Sequence, residues 1–474
     1  MSSNSRRVFL GQAAVAAASL FCANSSLGWG KPFKSASSAR AWVTSADQKF
    51  QPVSLGSWRA GSTSTAIAIN PARRFQSIVG FGGAFTDSSC YLLSQMQDEA
   101  RTKLLNEFVG PDGLRLSMGR TCIGASDYAR SLYSFDDSST PDPDLKHFSI
   151  EHDRAYILPT LRAAQQANPE MYYFSSPWSP PGWMKAGGSM LGGSMRNKYF
   201  GAYADYFVKF IEGYRAAGVK ISAVCSQNEV DTDQDGRMPA ALWGQEYEMG
   251  FIKEFLGPAF QRASLDTKIW ILDHNYNLWG RAVDELEDPD VRKYVDGVAW
   301  HGYMGEPSAM TRVHDAFPAK HAYWTEGGPD VSEPTYATDW AKWSCDIAKI
   351  LKNWARCIVT WNLVLDEKGN PNIGPFSCGG LVTLNSKTHE ITRSGMYWAF
   401  AHYSKAIRRG ARVIASSGEI PGVEHVAFLN PDGSRVVVIG NQGKARRVSL
   451  ACEGKSLEVE SPANSALTVV WNEA

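Results

Sequence analysis

Charge imbalance is missing from this sequence, where 48 Lys+Arg stand against 48 Asp+Glu. That balance excludes a chain-wide electrostatic pull toward nucleic acid or an acidic surface, and no nucleic-acid partner is expected. Cysteine is sparse and unpatterned. Of eight cysteines, Cys22 falls in the N-terminal segment, and the other seven are scattered without a Cys-x-x-Cys. Such spacing excludes a zinc-finger pattern and argues against a disulfide framework. Cys122, Cys225 and Cys357 lie in or beside predicted core strands and read as buried free thiols. His-x-His and His-Glu-x-x-His do not occur, which argues against a metal hydrolase. There is no Gly-x-Ser-x-Gly elbow for a serine hydrolase. The run Gly80-Phe-Gly-Gly83 lacks the G-x-G-x-x-G spacing for phosphates and reads as a close backbone turn. Repeats, low-complexity stretches and long linkers are absent.

A long apolar run occurs at the N-terminus, from Ala13 to Cys22, and it is too short and too alanine-rich for a good membrane span. Before it stands Ser5-Arg6-Arg7-Val8-Phe9-Leu10, a twin-arginine export signal. Residues 1–30 are therefore a targeting segment outside the fold. The expectation is export by the twin-arginine route to the periplasm or beyond, with no transmembrane anchor.

What the chain does have is length and aromatic residues. Its 474 residues suggest two domains. The 16 Trp, 18 Tyr and 21 Phe fill cores, and some can stack on sugar rings. Residues 39–70 alternate weakly, as strands do, and 31–75 are assigned to N-terminal strands that join a β-sandwich. From Gln76 on, apolar strands and amphipathic helices take turns. Strand signals fall at Gln76–Phe81, Gly113–Met118, Met171–Ser176, Ile221–Cys225, Lys268–Leu272, Val295–His301, His321–Glu326 and Arg356–Trp361. Eight β-then-α units over roughly 300 residues predict a parallel (β/α)8 TIM barrel over 76–405. After the predicted helix Gly395–Ile407, short strands split by turns such as Asn430-Pro-Asp-Gly433 predict the β-sandwich over 406–474. The fold class is α/β, a barrel with an appended β-sandwich.

Two glutamates end apolar strands: Glu229 after Ile221-Ser-Ala-Val-Cys225, and Glu326 at the end of His321-Ala-Tyr-Trp-Thr-Glu326. Barrel enzymes place their chemistry at the C-terminal strand ends, so both carboxylates should face one cleft. A protonated carboxyl and an ionised one across a cleft are what glycoside hydrolysis needs. Other polar and aromatic groups are expected on that rim. Asn228 can grip a sugar hydroxyl, and Asp87 after strand one can contact two. Arg115, placed on strand two, can keep a nucleophilic carboxylate ionised. Trp178 and Trp361 end strands three and eight; His301 and Tyr303 follow strand six.

Eight ordered motifs make a specific resemblance. They are Gly80-Phe-Gly-Gly-Ala-Phe-Thr-Asp87, Arg115-Leu-Ser-Met118, Ser126-Asp127-Tyr128, Ser176-Pro-Trp-Ser-Pro-Pro181, Gln227-Asn-Glu229, Trp300-His-Gly-Tyr303, Thr325-Glu-Gly327 and Trp361-Asn-Leu363. Together they resemble glycoside hydrolase family 30, which includes glucosylceramidases and endo-β-1,6-glucanases, over roughly residues 40–474. The resemblance implies a retaining mechanism on a β-glucoside or β-glucan, with Glu326 as nucleophile and Glu229 as acid/base. It implies that Asn228 binds the 2-hydroxyl and that Asp87, Trp178 and Trp361 hold the terminal glucose. Arg115, His301 and Tyr303 would support the nucleophile. No metal or organic cofactor is expected. Two departures stand out. Val230 replaces the proline common after the acid/base. Gly302 stands where the glucosylceramidase branch carries a bulky residue, which is expected to open the aglycone side. The alternatives are a xylan- or fucoside-hydrolysing member of the same fold and a non-catalytic carbohydrate-binding barrel.

Overall fold

The computed structural model describes residues 39–61 and 67–473. The expected export signal over 1–30, and residues 31–38 and 62–66 of the N-terminal strands expected over 31–75, lie outside the described residues. Eight parallel strands close into a barrel: Gly80–Ala84, Met118–Cys122, Tyr172–Ser176, Ile221–Cys225, Lys268–Asn275, Val295–His301, His321–Glu326 and Ala355–Thr360. Each pairs parallel with the next, and the last pairs with the first. The numbering one to eight below follows this order.

Inward-facing side chains fill the barrel: Met118, Phe174, Ala223, Cys225, Trp270, Ala299, Tyr323, Cys357 and Val359 form one buried cluster. Trp270 and Tyr323 stack at its centre, with ring centroids 3.9 Å apart. A barrel of eight strands leaves room for packed side chains and no pore. Large aromatics on some strands therefore require small residues on others. Strand one supplies them. A Cβ at Gly82 would sit 1.9 Å from the Met118 carbonyl oxygen. The Gly80-Phe-Gly-Gly83 run is thus a strand pressed against its neighbour, where the sequence suggests a turn.

Strands one and two both begin later than the sequence suggests. Ile67–Ser77 is a single long strand of the other domain, and the barrel starts at Gly80. Leu114 and Leu116 alternate like strand residues, but Gly113 and Leu114 belong to a turn and Arg115 takes a left-handed φ of 59°. Strand two runs Met118–Cys122.

The second domain is one ten-stranded sheet. N-terminal strands are interleaved with C-terminal ones: Arg40–Thr44 pairs antiparallel with Ser465–Trp471, and Ile67–Ser77 lies between Arg412–Ser417 and Arg446–Cys452. Its strands share one buried core, including Val43, Ile67, Ile439, Leu450, Leu467 and Trp471. Helix Gly395–Ser404 packs onto this sheet, and its His402 is buried between Thr468 (2.8 Å) and Thr44 (2.9 Å). Among the described residues seven cysteines are free thiols, six of them buried. No helix among the described residues is long and apolar enough to cross a membrane.

Burial pushes the His402 imidazole down to about 3. The unfolded chain takes up this proton near pH 6.5, whereas the folded chain resists it until about 3. Stability is therefore expected to fall as pH drops below about 6.5, with His402 contributing about 1.4 kcal/mol per pH unit. Denaturant midpoints measured between pH 7 and 4 check this, and a His402→Gln chain should show a shallower slope.

Candidate active site

The C-terminal strand ends gather a dense polar cluster around Arg120, on strand two. Its guanidinium is fully buried. One nitrogen forms a short ion pair with Glu326 Oε2, and another reaches Asp273 Oδ2 at 2.8 Å and Asn228 Oδ1 at 2.7 Å. Ser176 Oγ lies 3.2 Å from the same nitrogen and donates to Asp273 at 2.6 Å. The guanidinium carbon lies 4.7 Å from the Trp178 ring centroid and 5.4 Å from that of Trp361. Those two indoles stack on each other at 5.0 Å.

Two local irregularities aim the side chains. Between strands five and six the register skips at Asp273, so Ala299 pairs with Leu272 and Trp300 with His274. Leu272 and Asp273 have positive φ, 72° and 43°. Between strands six and seven Trp300 pairs with Trp324 and His301 with Glu326, leaving Thr325 over. Bulges of this kind re-aim side chains near active sites. Here they turn Thr325 onto Asp273 (2.6 Å) and leave Glu326 free to meet Arg120.

Glu229 and Glu326 face each other across His301. One ligand atom from each of the three lies within 4.8 Å of the other two. His301 Nδ1 is 3.3 Å from Glu229 Oε1 and 3.8 Å from Glu326 Oε1, and its Nε2 is 3.1 Å from Asp273. Tyr303 donates to Glu326 Oε1 at 3.0 Å, and Gln234 to Glu229 Oε2 at 2.9 Å. Glu229 holds a left-handed φ of 52°. Its segment is fixed by Asn228 N–H to the Pro177 carbonyl, Glu229 N–H to that of Asp273 and Trp243 N–H to that of Val230. These bonds hold the turn that a proline at 230 would have stiffened.

Electrostatics separate the acids. Burial would raise the Asp273 carboxyl, but Arg120 and His301 hold it well below the usual range. Burial would lower His301, yet Glu326, Asp273 and Glu229 push it up to about 9. For Glu229, burial pulls upward, but His301, with His274 and Gln234, outweighs it and lowers the carboxyl. The proton therefore rests on His301, hydrogen-bonded to Glu229. Asp127 goes the other way: burial, then Glu326 and Glu229, raise it strongly. Its Oδ1 is buried with no hydrogen-bond partner among the described residues.

The cluster includes Asn228, Glu229, Trp178, His301, Tyr303, Glu326 and Trp361, but neither Asp87 nor Arg115. Asp87 is the first residue of helix Asp87–Gln95, and its carboxylate is taken by Tyr156 Oη at 2.6 Å and the Arg130 N–H at 2.9 Å. Arg115 precedes strand two, at the opposite end of the barrel, with Glu170 and Asp112 as its nearest counter-charges. The cleft arginine is Arg120, hidden in Met118-Gly-Arg-Thr-Cys122, where glycine and arginine obscure the strand. Asp127 lies in the quoted Ser126-Asp127-Tyr128 motif. Asp273 follows the apolar run of strand five, the same signal that marks Glu229 and Glu326. Glu229, His301 and Glu326 could close on a cation, but a dication there would add charge beside a buried guanidinium that already neutralises Glu326.

The space beside Gly302 is not open. A Cβ there would lie 2.7 Å from the Trp324 indole, and one at Gly327 would lie 2.5 Å from the same ring. Trp324 is buried behind the strand ends that carry His301 and Glu326.

A closed eight-stranded barrel with two facing glutamates at its C-terminal rim is the architecture of a glycoside hydrolase. Residues 78–407 match the glycosyl hydrolase family 30 TIM-barrel domain, and residues 410–469 match that family's beta sandwich domain. The chain belongs to glycosyl hydrolase family 30, and it is a glycosidase. It is 33% identical to the endo-1,6-beta-D-glucanase of Neurospora crassa, over 89% of this chain and 92% of that one. It is 29% identical to the lysosomal acid glucosylceramidase of Mus musculus, over 88% and 86%. The solved endo-beta1,6-glucanase BT3312 superposes with a TM-score of 0.84 at 28% identity, covering 92% of this chain and all of that one.

Because Trp324 fills the space beside Gly302, Gly302→Trp should displace the backbone of His301 and Tyr303. A loss of about tenfold or more in kcat on an aryl glycoside is expected, since small misplacements are costly in a preorganised site. Adding Trp324→Ala to the same chain should restore much of that rate. A double variant no faster than Gly302→Trp alone would mean the two positions do not share this space.

Proposed function

We propose that this protein is a retaining β-glucosidase whose substrate is a glucosylceramide-like β-glucoside or a β-1,6-linked glucan. The substrate assignment is supported by the names of the relatives above. The observation that carries the mechanism is the spacing and unequal surroundings of the two glutamates. Their carboxylate oxygens come within 4.8 Å. A separation near ~5–5.5 Å suits direct attack by one carboxylate, whereas ~6.5–9.5 Å leaves room for a water.

Glu326 is the nucleophile. Arg120 pairs with one of its oxygens and the Tyr303 hydroxyl donates to the other, which fixes the carboxylate toward the cleft. Glu229 is the acid/base, with a proton 3.3 Å away on His301. In the first step a Glu326 oxygen bonds to the anomeric carbon as the bond to the leaving oxygen breaks. That oxygen takes a proton from Glu229, which has first drawn it from His301, so Glu229 ends the step ionised. In the second step water attacks the anomeric carbon and passes a proton to Glu229, and the ester bond to Glu326 breaks.

Asn228 offers a fixed donor, because its Oδ1 already accepts from Arg120 and its NH2 is left for a sugar oxygen. Asp127, kept protonated by burial and by both glutamates, can donate to one sugar hydroxyl and accept from another. Trp178 and Trp361 form the flat wall for the ring. Export by the twin-arginine route, read from Arg6-Arg7, would bring the enzyme to periplasmic or external glucosides.

Steady-state kinetics on leaving groups of graded acidity test the roles. Glu326→Gln should abolish turnover of every glucoside. Glu229→Gln should cost about 10²–10⁴ in kcat/KM on an alkyl glucoside and far less on a dinitrophenyl glucoside, which needs no proton to leave. Full-rate cleavage of the dinitrophenyl substrate by Glu326→Gln would reject the assignment.

A further inference from the structure

At the opposite end of the barrel lies a second charged cavity, of about 380 Å³, where the N-terminal strand ends meet the β-sandwich. Arg74, Lys320, His321, Trp354, Arg356 and Arg412 line it, and no carboxylate does. None of its four permanent cations forms an ion pair within 4.0 Å among the described residues. Lys320 and Arg356 have structural work: Lys320 donates to the carbonyls of Arg292 and Val295, and Arg356 to Ser77. Arg74 donates only to the nearby Pro71 carbonyl, and the Arg412 side chain makes no hydrogen bond among the described residues.

Arg74 and Arg412 lie on paired strands. Arg74 pairs with Ile414, and Arg412 with Ser77, across an irregular register. Like charges on adjacent strands repel unless an anion lies between them. The local field is felt inside the cavity. Burial lowers the His321 imidazole, and the charges of Arg356 and Lys320 lower it further against the pull of Asp296. One wall is flat: Trp354 stacks on His314 with centroids 3.5 Å apart. Trp354 holds a φ of 74°, a rare conformation for so bulky a residue. The volume falls within the ~300–1,000 Å³ range of small-molecule sites.

We propose that this cavity binds a small organic phosphate or sulfate, its oxyanion between Arg74 and Arg412 and its organic part against Trp354. Guanidinium groups match such oxyanions with paired hydrogen bonds, and an anion here would relieve the unpaired charge. The site lies at the other end of the barrel from the catalytic glutamates and does not depend on their roles.

Calorimetric titration of the full chain with inorganic phosphate and with phenyl phosphate, at constant ionic strength set by chloride, tests it. Saturable binding of about one phenyl phosphate per chain is expected, tighter than inorganic phosphate by the contribution of the ring. Arg74→Gln with Arg412→Gln should weaken it by about tenfold or more, while aryl-glucoside hydrolysis without added anion stays unchanged. Both positions are exposed, so the variant should fold. Saturable binding of inorganic phosphate alone, lost in the same variant, would keep the anion site and assign it to free phosphate. No saturation by either ligand up to about 10 mM, or binding indifferent to the two substitutions, would overturn the proposal.

Discussion

A fully buried guanidinium cannot stand alone, and the catalytic end of this barrel is arranged around one. Arg120 is excluded from solvent, so its charge must be met by acceptors from several strands. Glu326, Asp273 and Ser176 meet it from strands seven, five and three, and Asn228 from just beyond strand four, while Trp178 and Trp361 pack beside it. Breaking one arm of such a buried pair typically costs about 3–5 kcal/mol, because the other charge is left without a partner. The barrel must therefore close for Arg120 to be tolerated, and closure places Glu326 and Asn228 where the chemistry needs them.

Charge counting around this centre explains the rest. Two cations, Arg120 and the protonated His301, face three carboxylates, Asp273, Glu326 and Glu229. Asp127 keeps its proton because it is buried and because a fourth negative charge would face Glu326 and Glu229. Asp273 touches both cations and reaches no sugar-facing position. It acts as the fixed negative charge that keeps His301 protonated beside Glu229. The two bulges that interrupt strands five and seven are the backbone cost of bringing these groups together.

Much of the barrel was legible because parallel strands buried on both faces read as apolar runs. His321–Glu326 and Val295–His301 fall where their sequence pattern puts them, and both facing glutamates end such runs. Strand two was illegible for a physical reason. It must hold Gly119 against Tyr173 and carry Arg120 inside, so it lacks the apolar signature, while the turn before it borrows that signature through Leu114 and Leu116. That shift put Arg115 in the place of Arg120. Asp87 misled in another way. A strand-end aspartate looks like a sugar ligand, but as the first residue of a helix it turns toward Arg130 and Tyr156. Gly302 shows the limit of position-by-position reading, since the volume missing at one strand end is supplied by Trp324 on the next.

The central claim is that two glutamates this close act by double displacement. The most direct measurement is the anomeric form of the first product, followed by proton NMR while purified enzyme cleaves a β-glucoside. The account predicts that β-glucose appears first and mutarotates to the α-anomer later. First release of α-glucose would contradict it, because a single inverting displacement would then have occurred at a site whose carboxylates leave no room for the attacking water.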